Sequence, residues 1–228
     1  MRLLAIGAHP DDLEIFMFGT LAAAKARGDE IMLAIATDGA AGGKQDPVEL
    51  RRLRREEATA GASGLGEVPT FLGFPDGALV ADAALIATLK TLIRESNADL
   101  VITHAPNDYH GDHRALSDAV RIGANFTAPV AWVDTMMGTG FVPTHLVDTT
   151  AYVGAKATAI RAHASQDPER FVAMAERLAG FRAAQANNPT GYAEAFRFEP
   201  SFPFMDIRDL LPPPPAVRPV GDRRKPGP

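Results

Sequence analysis

Residues 3–20 read LLAIGAHPDDLEIFMFGT, an apolar run that is followed by His, Pro and two aspartates. The run LLAIGA (3–8) has the length and composition of a buried strand, and LEIFMFGTLAAAKARG (13–28) is typical of a helix that ends at a glycine. A second apolar run, EIMLAIAT (30–37), follows directly. A strand, a helix and another strand in this order indicate a βαβ unit with two parallel strands.

The same alternation continues along the chain. Further strands are predicted at TFLGF (70–74), DLVITH (99–104), AWVDT (131–135), HLVDTT (145–150) and, as an edge strand, AEAFRFE (193–199). Further helices are predicted over residues 48–63, 84–96, 114–126, 151–166 and 168–185. We therefore expect an α/β fold, with a Rossmann-like, mainly parallel sheet and helices on both faces. Residues 1–209 are assigned to one domain, and the proline-rich segment 210–228 to a disordered tail.

Composition narrows the range of functions. A chain of 228 residues, of which 46% are hydrophobic, supports one sizeable core. The net charge of -5 argues against nucleic acid as a partner. No cysteine is present, so a metal site must use His, Asp or Glu. The N-terminus resembles neither a signal peptide nor a membrane span, so we expect a cytoplasmic protein. The sequence does not determine its oligomeric state, and a homo-oligomer is compatible with it.

Polar side chains gather at the ends of two predicted strands. The first group follows LLAIGA, and the second, HAPNDYHGDHRA (104–115), follows DLVITH. Ligands of open α/β sheets bind at the carboxyl ends of the strands, so we expect these two loops to face each other. Either loop alone could be a turn, and Asp12 could cap the next helix. Taken together, however, the two loops carry four of the six histidines, which favours a metal or catalytic site.

The residue types indicate which chemistry such a site would perform. Catalytic zinc usually takes three protein ligands and keeps one position open for water. Without cysteine the natural set is two histidines and one carboxylate, while a carboxylate that is not a ligand can accept a proton from the water. This set predicts metal-assisted hydrolysis. A phosphoesterase or another metal hydrolase, and a non-catalytic metal-binding protein, remain alternatives. Gly7-Ala8-His9 breaks the glycine pattern of dinucleotide-binding loops, which argues against nucleotide binding.

At these residues the chain resembles a known family. AHPDDLE, followed by GT, is similar to the first signature of the LmbE-like or PIG-L family of zinc-dependent N-deacetylases, and DYHGDH is similar to its second signature. Weaker agreement at TDGAAGG, LGFPDGAL, KATAIRAHASQ and YAEAFR extends the resemblance over residues 3–198. It implies removal of an acetyl group from an N-acetylglucosamine-type amino sugar in a larger conjugate. Zinc is the implied cofactor, with another divalent metal as the alternative.

The resemblance also implies roles for individual residues. The implied metal ligands are His9, Asp12 and His113. Asp11 would be the general base, and His110, held in place by Asp112, would stabilise the oxyanion or protonate the leaving amine. The implied substrate contacts are Arg54, Asp76 and His163. From the residues alone, His104 is either a support for this site or a buried strand-end histidine.

One departure from the family pattern concerns the substrate. Ile15-Phe16-Met17-Phe18 places bulky side chains where the family commonly has small residues before the Gly-Thr pair. On a helix beside the metal they would pack under the site or narrow its entrance. The chemistry is unaffected, but the usual substrate need not fit.

Overall fold

A computed structural model describes residues 1–207 and 209–216 of the chain. Within these residues one sheet contains seven strands: β1 (Arg2–Gly7), β2 (Glu30–Thr37), β3 (Thr70–Phe74), β4 (Leu100–His104), β5 (Val130–Val133), β6 (His145–Asp148) and β7 (Ala193–Phe198). Their order across the sheet is β3-β2-β1-β4-β5-β7-β6. The first five strands pair in parallel, and β7 runs antiparallel to both of its neighbours.

Helices cover both faces of this sheet, which confirms the predicted α/β class. The helices are α1 (Phe18–Ala26), α2 (Pro47–Ala62), α3 (Ala83–Ser96), α4 (Gly111–Gly123), α5 (Val153–Arg161) and α6 (Pro168–Gln185). Leu4 and Ile6 of β1 pack with side chains of α3 and α4. Leu3 and Ala5, which point the other way, pack with α1, α2, α5 and α6. The near-continuous apolar strands are buried on both faces, as a central parallel sheet requires.

The helix predicted over residues 13–28 is divided in the structure. A single π-helical turn, Leu13–Met17, precedes α1. The start of α1 packs against β7, where Glu194 accepts hydrogen bonds from the N–H groups of Gly19 (2.9 Å) and Thr20 (2.8 Å). Lys156 donates a 2.6 Å bond to the same buried carboxylate. A side chain from the end of the chain therefore satisfies backbone groups that a helix start leaves unpaired.

The prediction that residues 193–199 form an edge strand is wrong. β7 lies between β5 and β6 and pairs with both, while β6 forms that edge of the sheet. Four of its six residues are buried in an unbroken run, Ala193–Phe196, so the strand is covered on both faces. An interior strand needs this burial, whereas an edge strand does not.

The fold continues past the predicted domain boundary at residue 209. Arg27 donates a 2.8 Å hydrogen bond to the carbonyl of Leu211, and the N–H of Asp148 donates to the carbonyl of Pro213 at 3.0 Å. Leu211 is also buried in the core. Residues 210–216 thus pack on the body of the protein, and residues 217–228 of the predicted tail lie outside the described residues. No helix in the described part is long and apolar enough to cross a bilayer.

Candidate metal centre

The two polar loops meet at the middle of the sheet. β1 and β4 are neighbours, and the chain order of the strands reverses between them, which is where doubly wound sheets bind their ligands. The first loop carries His9, Asp11 and Asp12, and the second leads from His104 into the first turn of α4. Between them lies an open cleft of about 280 Å³. The predicted juxtaposition of the two loops is therefore present.

Three side chains in this cleft form a triangle of metal-binding atoms. His9 Nδ1 lies 3.2 Å from His113 Nε2. The two oxygens of Asp12 lie 3.4 Å from these nitrogens, Oδ2 from His9 and Oδ1 from His113. A tetrahedral site with metal–ligand bonds of about 2.0–2.1 Å separates its ligands by about 3.3–3.4 Å. Each pair of these three residues thus has one contact of about this length, with the two contacts of Asp12 made by different oxygens. We call the three residues the triangle; two imidazoles and one carboxylate are a donor set that zinc accepts.

Three overlapping groups of side chains converge closely enough to hold a cation. They are His9 with His110 and His113, Asp12 with His104 and His113, and His9 with Asp76 and Asp112. The predicted ligands His9, Asp12 and His113 are divided between the first two groups. His104 Nε2 lies 3.0 Å from Asp12 Oδ2, and its ring stacks on that of His113 at 3.7 Å. His104 therefore contacts two residues of the triangle, Asp12 and His113. Of the two roles that the sequence allowed for His104, this is the supporting one.

Carboxylates also contact the outer nitrogen of His9. Its Nε2 lies 3.1 Å from Asp112 Oδ2 and 3.2 Å from Asp76 Oδ1. A proton on this nitrogen leaves Nδ1, the atom in the triangle, free to bind a metal. Asp12 makes no capping bond to the helical turn that follows it, and instead accepts a 2.6 Å bond from the N–H of His9. The side chain of Asp12 therefore does not cap the helical turn that follows it.

The charged groups of this cluster favour a bound cation. Burial opposes ionisation of Asp12, but His113 and His104 hold its pKa well below the usual value. Burial also opposes protonation of His9, yet Asp112, Asp12 and Asp76 raise its pKa to about 12. In the same way Asp12 and Asp108 outweigh burial and raise the pKa of His113 to about 9. Several carboxylates thus favour positive charge between them, which a divalent ion could supply in place of protons.

Asp11 lines the cleft beside the triangle and pairs with a buried arginine. Its Oδ2 lies 3.1 Å from Arg54 Nη2. Arg54 also donates a 3.2 Å bond to the carbonyl of Gly39 and lies 3.7 Å from Asp76. Burial raises the pKa of Asp11, and the guanidinium acts in the opposite direction. A carboxylate with a raised pKa beside the open side of a metal site is suited to accept a proton. Arg54 and Asp76 both line the cleft.

Asp112 holds the ring of His110 through its backbone and not through its carboxylate. That carboxylate accepts bonds from the N–H groups of Gly77 (2.8 Å) and Leu79 (3.1 Å), in addition to its contact with His9. It is the backbone N–H of Asp112 that donates to His110 Nδ1, at 3.2 Å. The reason is that His110 caps the N-terminus of α4, so the backbone of the first turn reaches its ring while the side chain of Asp112 points to the loop after β3.

His163, predicted as a substrate contact, does not line the cleft. It is 1% exposed, and its Nε2 lies 3.2 Å from Glu14 Oε2, in a charge contact whose angles do not suit a hydrogen bond. Gln166, three residues on, lines the cleft instead. Glu14 belongs to the AHPDDLE motif but had no predicted role; a charged residue inside an apolar stretch was the available signal. Tyr109, Met136 and Phe171 also line the cleft and carried no signal in the sequence.

The bulky residues before Gly19 have divided roles. Phe16 lines the cleft, with its ring centroid 5.5 Å from that of His104 and 6.0 Å from that of His113. Met17 and Phe18 are 0% and 1% exposed and pack in the core. Ile15 also lines the cleft, so two of the four large side chains face the site and two do not.

Fold and site together define a doubly wound α/β protein with a candidate metal centre of two histidines and a carboxylate at its switch point. Residues 4–122, just over half of the chain, match the family described as PIG-L: GlcNAc-PI de-N-acetylase. The chain belongs to this family, and the resemblance at the two motifs is confirmed.

Known proteins resemble the chain well beyond those residues. A diacetylchitobiose deacetylase of Thermococcus kodakarensis is 29% identical in an alignment 230 positions long, which covers 90% of this chain and 85% of that protein. The structure of N,N'-diacetylchitobiose deacetylase from Pyrococcus horikoshii has a TM-score of 0.74 and 25% identity, over 87% of this chain and 83% of that one. GalB, a 4-carboxy-2-hydroxymuconate hydratase from Pseudomonas putida, has a TM-score of 0.76 and 22% identity, over 86% and 95% of the two chains. The likeness to GalB concerns the fold alone.

Proposed function

We propose that the protein is a zinc-dependent hydrolase that removes an N-acyl group, normally acetyl, from an N-acetylglucosamine-type amino sugar in a larger conjugate. The observation that carries this proposal is the triangle of His9, Asp12 and His113 with the Asp11 carboxylate beside it. Family membership and the deacetylase relatives support the choice of an amide as the bond that is cleaved. We assign the activity to one domain that comprises residues 1–209 and the packed segment 210–216.

His9, Asp12 and His113 would hold the metal, which would supply Lewis-acid chemistry and lower the pKa of a bound water to about 7. The residues of the chain then divide the remaining work. Asp11 accepts the proton of the attacking water, and Arg54 holds the Asp11 carboxylate in position. His110 Nδ1 accepts the backbone N–H of Asp112, so its proton is on Nε2. From there His110 can donate a hydrogen bond to the oxygen of the acyl group, and the proton accepted by Asp11 passes to the leaving amine.

Polar groups that can hold the sugar lie on the other side of the cleft. Arg54, Asp76 and Gln166 line this side together with the backbone of residues 41–42. Sugar hydroxyls require hydrogen-bond partners of both kinds, and these side chains offer donors as well as acceptors. We assign Arg54 and Asp76 as substrate contacts on this basis, and we assign none to the buried His163.

The proposal is tested by metal content and turnover measured together. Elemental analysis of the purified protein should find about one zinc per chain. Amine release from N-acetylglucosamine and from diacetylchitobiose should stop when a chelator removes the metal and return when zinc is added. Turnover that is indifferent to the chelator would overturn the metal role. Metal-dependent release of phosphate from phosphomonoesters, without amine release, would establish a phosphoesterase instead.

A further inference from the structure

The walls of the cleft differ in polarity. One wall is the polar side that carries Arg54, Asp76 and Gln166. The other wall is apolar and is formed by Ile15, Phe16, Met136 and Phe171. Met136 and Phe171 are partly buried and pack on the same core cluster that contains Ile15 and Phe16, so the apolar wall is continuous. A substrate in the cleft thus meets polar groups at one end and hydrocarbon at the other.

Ile15 and Phe16 separate the cleft from a second space. A cavity of about 20 Å³ lies behind them. Its other walls are Ala175, Leu178 and Ala179 of α6, the strand β7, and two buried ion pairs, Lys156 with Glu194 and Arg182 with Asp134. A third cavity, of about 10 Å³, lies beyond and shares Ala175 and Ala179 with the second. Each has room for about one water molecule. The side chain of Phe16 therefore occupies the position between the cleft and a row of small voids along α6.

The position of Phe16 relative to the triangle identifies the part of the substrate that it faces. The carbonyl carbon of the amide must lie at the metal centre, and the alkyl group of the acyl chain is one bond away. Phe16 is the apolar residue of the wall whose ring contacts the imidazoles of His104 and His113. The sugar requires the polar wall on the opposite side. The acyl group is thus directed toward Phe16 and the voids behind it.

We propose that Phe16 closes the acyl end of the cleft and so limits the substrate to short N-acyl groups. This inference rests on the proposed function. In the reaction the amide C–N bond breaks, water supplies the new C–O bond, and the amine takes a proton, so the acyl chain leaves as a carboxylate. Only the length of that chain is controlled by Phe16. Replacing Phe16 by alanine joins the cleft to the space along α6 and makes room for additional methylenes.

The experiment compares chain-length preference in matched variants. The kcat/KM values for N-acetyl, N-butyryl and N-hexanoyl glucosamine are measured for the wild type, Phe16→Ala and Phe171→Ala. Phe171 is the matched control, because it lines the same wall but not the cavity behind it. The wild type should prefer acetyl over butyryl by at least tenfold. Phe16→Ala should raise the butyryl-to-acetyl ratio by at least tenfold, whereas Phe171→Ala should change it less than threefold.

Binding gives a readout that does not depend on turnover. Alkyl hydroxamates bind metal ions through their polar end, so zinc-loaded protein is titrated calorimetrically with acetohydroxamate and hexanohydroxamate. Phe16→Ala should bind hexanohydroxamate at least tenfold more tightly than the wild type does and acetohydroxamate about equally. If no N-acyl sugar is hydrolysed, the proposed function fails, but this gain would still support Phe16 as the end wall.

Two results would overturn the inference about Phe16. One is a wild type that accepts hexanoyl and acetyl substrates, or their hydroxamates, equally well. The other is a folded Phe16→Ala protein whose preference stays within threefold of the wild type. If Phe16→Ala does not fold, Phe16→Leu takes its place, because leucine is apolar but smaller than phenylalanine. The inference then stands only if Phe16→Leu raises the ratio of N-propionyl to N-acetyl turnover by at least threefold.

Discussion

Substituting Asp11 by asparagine separates proton transfer from metal binding. The Asp11 carboxylate lies outside the triangle and contacts Arg54 Nη2 at 3.1 Å. An asparagine oxygen can accept the same hydrogen bond, and Arg54 keeps its bond to the carbonyl of Gly39 at 3.2 Å. The substitution therefore removes the basic group while leaving the packing in place. We expect a folded protein that binds metal as the wild type does.

The size of the effect follows from the role of the group. Positioned general bases contribute about 10²–10⁴ in rate, which corresponds to about 3–5 kcal/mol in the activation free energy. The ion pair becomes a hydrogen bond from the charged guanidinium to a neutral amide oxygen, so the free energy of unfolding should fall by only about 1 kcal/mol. For Asp11→Asn we therefore expect kcat to fall by at least a hundredfold, with the metal content unchanged.

The neighbouring aspartate provides the control. Asp12→Asn has the same change in charge and shape but removes the carboxylate of the triangle, so it should lower zinc affinity by at least a hundredfold. Zinc is measured by elemental analysis and by competition with a chromogenic chelator, and kcat by amine release at saturating zinc. The reasoning is refuted if Asp11→Asn loses its metal or keeps more than a tenth of the wild-type kcat.

Three further predictions concern stability. Glu194→Ala leaves Lys156 buried without its partner and removes the acceptor of the first N–H groups of α1. The free energy of unfolding, measured with urea, should therefore fall by about 4 kcal/mol. Adding Lys156→Met should recover more than half of this loss. Burial opposes protonation of His163, but Glu14 raises its pKa above 6.5. The pair therefore stabilises the fold below that pH and loses its effect as the pH rises through the raised pKa, so the stability difference between wild type and His163→Gln should shrink from pH 6 to pH 9. Chelation of the metal should lower Tm by about 5–10 °C at a zinc concentration of about 100 Kd, and restored zinc should reverse the change.

Much of the fold could be predicted because its central strands are simple apolar runs. LLAIGA, EIMLAIAT and DLVITH are continuous because each strand is buried on both faces. The place of β7 could not be predicted, since periodicity describes the environment of a strand and not its neighbours in the sheet. The π-helical turn at Leu13–Met17 was missed for a related reason, because helical periodicity hardly differs across it.

The sequence predicts which loops form the site, but it does not predict the direction in which each side chain points. The ends of β1 and β4 lie side by side, and this alone brings His9, Asp12 and His113 together. Asp112 could not be placed, because its contact with His9 depends on how α4 begins. His163 was misplaced because α5 ends at Arg161, before the predicted helix does, and the residues after it turn inward.

The interior position of β7 bears on when the molecule can assemble during synthesis. β6 pairs with β7, and the start of α1 is completed by Glu194, a residue 175 positions further along the chain from Gly19. Contacts of such long sequence separation slow folding, because a large loop must close before they form. The start of α1 thus lacks the carboxylate of Glu194 until β7 has left the ribosome. Until then the nascent chain exposes β5 as an unpaired edge, to which chaperones or other chains can bind.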